Sequence, residues 1–183
     1  MIIHGFTADP SANWFPWLSE TFSAAGVEVR VPAMPNTMAP ELGPWVDTAS
    51  AAIGEVDDDL VIVGHSLGCI TALHALARAE GAWKLGGLVM VAGFDAPQTT
   101  LPELDEFTAD VPDLAAIASR TRYRRVIASD DDGIVPPSAS AELATHLLAP
   151  LETVRGAGHF LDRDGHLAVP SVKRCVEAAF APG

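Results

Sequence analysis

Short, almost wholly apolar runs recur along the chain, and each is followed by a longer stretch whose apolar positions repeat with helical spacing. The runs are Ile2–His4, Val27–Val31, Leu60–Gly64, Leu88–Ala92, Arg125–Ser129 and Glu152–Val154. Most are continuous, not alternating, as expected of strands buried on both faces of a parallel sheet. The helical stretches are Trp14–Ala25, Leu42–Val56, Leu67–Glu80, Ser138–Leu148 and Pro170–Phe180. Pro136-Pro137 and Pro170 stand at or near the first turn of a helix, where proline is tolerated. Strand and helix alternate throughout, which predicts one α/β domain over residues 1–183. The longest departure is the segment Phe94–Arg122, with short helical patterns around Leu101–Phe107 and Leu114–Ser119. A connection of that length calls for a function or small helices of its own, and a minimal lid is one expectation for this excursion at about 95–122.

Composition sharpens this picture. At 183 residues, 49% hydrophobic and 19% charged, the chain can bury a core and is not disordered wholesale. No apolar run approaches the roughly 20 residues that span a bilayer. Met1-Ile2-Ile3-His4-Gly5 has neither the basic nor the apolar part of a signal peptide, so a cytoplasmic location is expected. The first strand is short enough that the natural start is expected a few residues upstream. The net charge of −13 disfavours nucleic acid and anionic membrane surfaces as partners, and suits neutral or cationic small molecules. Cys69 and Cys175 make neither a disulfide framework nor a CxxC metal site, and both are expected in the core. Neither a metal nor another cofactor is expected, and protein partners are not legible.

Chemistry concentrates after the third run. Gly64-His65-Ser66-Leu67-Gly68 is a GxSxG segment lying between a buried strand and an apolar helix, the context of a nucleophile elbow. Such a turn strains the serine backbone, and glycine at 64 and 68 lets strand and helix approach closely. Ser66 is therefore the candidate nucleophile. The helix N-terminus beneath it favours developing negative charge.

A serine hydroxyl needs a base, and the base needs an orienting acid. His159 follows Gly156-Ala157-Gly158 after the last strand and is expected to swing toward Ser66, to about 2.6–3.2 Å or somewhat looser without ligand. His65 is expected to point away, because neighbours on a tight turn diverge. His74 and His146 fall on helices, His166 lies past the loop, and His4 precedes the nucleophile. The acid comes from Asp130-Asp131-Asp132. Asp132, four residues before Pro136, is the choice; Asp131 is the near rival and Asp95 a distant one. Asp131 is expected to face away or to support the loop. The backbone N–H groups of Leu67 and Phe6 are the candidate oxyanion donors. Trp14 and Trp17 either wall a substrate pocket, Trp14 foremost, or pack the first helix.

Taken together, Ile2-Ile3-His4-Gly5, Trp14-Phe15-Pro16-Trp17-Leu18, Met34-Pro35-Asn36, the GxSxG segment, Gly93-Phe94, Asp131-Asp132-Gly133-Ile134-Val135-Pro136 and Gly158-His159-Phe160 carry a resemblance over essentially the whole chain. The chain resembles the small serine hydrolases of the YdeN and retinoblastoma-binding protein 9 type, and is closer to their bacterial members. That resemblance implies a compact α/β-hydrolase fold: a three-layer sandwich of about six parallel strands in the order 2-1-3-4-5-6, with helices on both faces. It implies a Ser66–His159–Asp132 triad, no metal and no large cap. The mammalian relative's Leu-x-Cys-x-Glu motif is not carried over, since lysine stands in place of leucine in Lys173-Arg174-Cys175-Val176-Glu177.

The function expected is hydrolysis of small carboxylic esters through an acyl-enzyme. An amidase or thioesterase would use the same residues. A nucleotide-binding domain would need a glycine-rich phosphate loop, which Gly5-Phe6-Thr7-Ala8-Asp9-Pro10 is not. A non-catalytic interaction protein on a hydrolase scaffold is the remaining alternative.

Overall fold

The computed structural model describes residues 1–181, so the last two residues of the range assigned to the domain lie outside the described residues. Within them, five parallel strands form one sheet in chain order: β1 (Ile2–Ile3), β2 (Val61–His65), β3 (Leu85–Val91), β4 (Thr121–Ser129) and β5 (Leu151–Val154). The register sets Ile3 beside Gly64, Val63 beside Val89, and Ile127 beside Glu152.

Continuous apolar strands serve two cores, because side chains alternate between the faces. Ile62, Leu88, Met90 and Val126 enter one core, shared with α2 (Leu42–Ile53), α3 (Leu67–Arg78) and α5 (Pro137–His146). Val61, Val63, Val89, Val91 and Ile127 enter the other, against α1 (Phe15–Ala24) and α6 (Pro170–Phe180). Three layers result. Cys69 and Cys175 are both buried within them, and the 173–177 segment is part of helix α6.

The expected second strand, Val27–Val31, is not part of the ladder. Val27, Val29 and Val31 lean on the second core from an extended segment. The Arg30 carbonyl accepts a hydrogen bond from Ile2 N at 2.8 Å. With only two residues in β1, there is little edge to pair with. The sheet therefore has five strands where about six were expected. Other differences lie at element ends; α2 stops at Ile53 because Gly54 takes a positive φ of 66°.

A helix apolar on every side has to be covered on every side. Helix α3 is such a helix, with nine of its residues, from Leu67 to Leu76, buried. The sheet lies beneath it, α2 beside it, and the 95–122 excursion covers what remains. That excursion contains a 3₁₀ helix (Pro102–Thr108) and α4 (Leu114–Ser119). Phe107 packs edge-on against Trp45 at 5.9 Å, and the His74 ring bonds its carbonyl at 2.9 Å. Leu104, Phe107, Leu114 and Ile117 thus join the core while most of the residues between them stay exposed, and no described helix is long and apolar enough to cross a membrane.

Candidate active site

The turn from β2 into α3 is made by backbone crowding. A Cβ at Gly64 would stand 2.8 Å from Cys69 Cα, and one at Gly68 only 2.1 Å from the Ile3 carbonyl oxygen. Strand β1 and helix α3 can therefore touch only through glycine, and Ser66 is left at φ 53°, ψ −122°. That is a region a β-carbon disfavours, and such strain persists only where the surroundings impose it. Among the described residues Ser66 Oγ has no hydrogen-bond partner, and it borders a cavity of about 520 Å³. The hydrogen bond expected from Ser66 to the His159 ring is accordingly not formed; contacts of this kind tighten with substrate in place.

His159 borders the same cavity, brought there by the loop after β5. Its Nδ1 lies 2.7 Å from Asp132 Oδ2, and both side chains are almost wholly buried. A carboxylate only accepts, so Nδ1 carries a proton, and in the neutral ring Nε2 is the acceptor. Asp132 Oδ1 in turn accepts from Ile134 N at 2.8 Å and Val135 N at 3.0 Å, which holds the carboxylate in one orientation.

The neighbouring aspartates hold the histidine's loop. Asp131 Oδ1 accepts from Gly158 N and from Ser129 Oγ, Asp130 Oδ1 from Gly156 N, and Ser129 Oγ from Ala157 N. The bond from Ser129, then that from Gly158, lowers the Asp131 carboxyl below its usual range. Asp95 lies elsewhere, bonded to the His146 ring at 2.6 Å.

Two expectations change here. Trp14 is fully buried, stacked edge-on against Phe15 at 4.8 Å, and does not border the cavity. It stands just ahead of the first residue of α1 and is driven into the core beneath it, so Ala8, Ala12 and Asn13 line the wall instead. His65 does not turn away from the site. It lies beneath His159, ring centroids 5.1 Å apart, and its Nε2 donates to the His159 carbonyl at 3.0 Å. Strand parity was the available signal: Val61 and Val63 face the α1/α6 core, so residue 65 does too. Burial, then the neighbouring His159, depresses the His65 pKa to about 3, so the ring is neutral. His4, also buried, accepts from Met34 N and has its pKa lowered chiefly by burial.

Phe6 borders the cavity, and Leu67 opens α3, so the Leu67 N–H has no carbonyl of its own helix to meet. Neither N–H has a hydrogen-bond partner among the described residues. Thr100 and Leu101 are the part of the excursion that reaches the cavity, where Thr100 Oγ1 donates to the Ile134 carbonyl at 2.6 Å. Among the described residues no group of three His, Cys, Asp or Glu side chains is arranged to hold a metal ion.

Residues 1–178 match the family model described as serine hydrolase. YdeN of Bacillus subtilis (strain 168) is 39% identical over 180 residues, which are 98% of this chain and 95% of that protein. The crystal structure of the ydeN gene product from B. subtilis matches with a TM-score of 0.95, over 99% of this chain and 97% of that one. Est1E from Butyrivibrio proteoclasticus shares the fold at 18% identity and a TM-score of 0.71, over 99% and 87% of the two chains. So does the esterase domain of a Rhodothermus marinus protein, at 15% identity and a TM-score of 0.65, over 97% and 85%.

Proposed function

The chain belongs to the serine hydrolase family, and on that premise we propose that it cleaves small carboxylic esters, with Ser66 as nucleophile, His159 as general base and Asp132 as orienting acid. One observation carries the reading: a strained serine at the head of α3 shares a cavity with a buried histidine–carboxylate pair.

Ser66 Oγ attacks the ester carbonyl carbon while His159 Nε2 takes its proton. Asp132 keeps the ring in the tautomer that can accept that proton, and stabilises the imidazolium once formed. The oxyanion is met by the N–H groups of Leu67 and Phe6, neither of which has another partner among the described residues, and the dipole of α3 adds to them. Collapse expels the alcohol, protonated by His159, and leaves an acyl-serine. Water, activated by the same imidazole, then releases the acid.

The cavity volume, within the usual range for small-molecule sites, supports a small substrate. Its wall mixes apolar Phe6, Leu101 and Leu161 with polar Thr7, Asn13 and Thr100. An esterase domain with the same fold is consistent with ester chemistry. Two unpaired, buried cysteines fit a reducing, cytoplasmic setting.

A fluorophosphonate probe should label Ser66. Activated esters of graded acyl length should be cleaved fastest at the short end. Ser66→Ala should lower turnover by at least about 10³-fold while leaving the melting temperature near that of the wild type. Near-wild-type turnover in the alanine variant would remove Ser66 from the mechanism, and a marked preference for amides or long acyl chains would redraw the substrate.

A further inference from the structure

We infer that His65 is a positioning residue, whose hydrogen bond to the His159 backbone carbonyl fixes where the base sits relative to the nucleophile. This rests on the reading of His159 as the base.

The other bonds to the base's loop act elsewhere. Asp130, Ser129 and Asp131 hold the N–H groups of residues 156, 157 and 158, and Asp132 holds the His159 ring. The carbonyl of His159 itself is held by His65 Nε2. Directly after it, Phe160 has φ 57°, a backbone conformation that needs external restraint. The ring doing the holding is itself held, with Phe15 at 5.7 Å and Trp14 at 5.8 Å.

The chemistry of His65 points the same way. A carbonyl only accepts, so Nε2 carries the proton and Nδ1 is bare. That nitrogen is buried and has no partner among the described residues, which costs free energy that a leucine of similar volume would not incur. What the imidazole adds is one bond, and that bond joins the residue beside the nucleophile to the residue bearing the base. Ser66 and His159 are thereby linked through one peptide unit and one hydrogen bond, a much shorter path than through the sheet.

The test compares three variants by steady-state kinetics on an activated short-chain ester. His65→Gln can donate an amide N–H at about the reach of Nε2, His65→Asn is too short, and His65→Leu has no donor. His65→Leu and His65→Asn should lose about 10- to 100-fold in kcat, with KM changed less than about threefold, since small misplacement of a catalytic group costs that much. His65→Gln should recover kcat to within about fivefold of wild type. If the leucine variant does not fold, the glutamine–asparagine pair decides. Wild-type kcat in both His65→Leu and His65→Asn, or no advantage of glutamine over asparagine, overturns the inference. Ser66→Ala, measured alongside, separates the two claims. Its inactivity together with unimpaired His65 variants sinks only the positioning role, while its retained activity sinks the triad and the inference together.

Discussion

The two loops that meet at the cavity are built by different physics. The turn at Ser66 is held by backbone against backbone: Gly68 lies under the carbonyl of Ile3 and Gly64 against Cys69, and the serine hydroxyl has no hydrogen-bond partner among the described residues. The loop at His159 is held by side chains reaching its backbone and its ring, four of them from Ser129 through Asp132 and one from His65. The first arrangement tolerates no added atom. The second should tolerate the loss of single bonds unevenly, because only some of them touch the proposed base.

The strongest test of that unevenness lies within the aspartate run. In Asp132→Asn the amide oxygen can still accept from Ile134 and Val135, so the loop should stand. The amide nitrogen would then face His159 Nδ1 as a donor, forcing the proton onto Nε2 and leaving no base for Ser66. Turnover should fall by about 10⁴-fold, the scale of loss when a serine-hydrolase triad keeps its geometry but holds its histidine in the wrong tautomer. A loss below tenfold would move the acid elsewhere. Gly68→Ala probes the other loop. A methyl group 2.1 Å from the Ile3 oxygen forces β1 and α3 apart, at about 3 kcal/mol or more by denaturant titration. An unchanged midpoint would show that the contact can relax.

Acid should lower the stability of the whole fold. An unfolded chain protonates His65 near 6.5, whereas the folded one holds its pKa at about 3. The unfolded state binds the extra proton, so stability falls as pH drops from 6.5 toward 3, by up to about 1.4 kcal/mol per pH unit. His4, also lowered, adds in the same direction. Melting curves between pH 7 and 4.5 should therefore flatten in His65→Gln; an unaltered slope would mean that His65 takes up its proton without unfolding. The smallest effect belongs to Asp131→Asn, whose oxygen still accepts from Gly158 and Ser129. Its turnover should fall only a few-fold, less than about 1 kcal/mol of barrier. A loss matching that of Asp132→Asn would make the two aspartates one functional unit.

Much of this was written locally. Apolar runs between helical stretches specify a parallel α/β sheet, because both faces of each strand have to be covered. Gly64 and Gly68 around Ser66, placed between a buried strand and a helix, specify a strained turn, because steric exclusion acts between near neighbours and along the backbone. That Asp132 and His159 stand on loops after strands was readable from the strand pattern, and their choice followed the serine–acid–histidine chain order of α/β-hydrolases. Trp14 was not, since an aromatic ring before a helix has no local preference between wall and core until the sheet beneath it exists. Nor was the edge: whether Val27–Val31 pairs depends on how much of β1 there is to pair with. The division of labour among Asp130, Asp131 and Asp132 was only half legible, because adjacent carboxylates are chemically alike and differ only in which distant N–H group or imidazole each one meets. His65 shows the limit most plainly. Its position on the α1/α6 face follows from the parity of β2, but its partner, 94 residues away, lies on the loop after β5, and only the tertiary structure carries that loop past β3 and β4 to the end of β2.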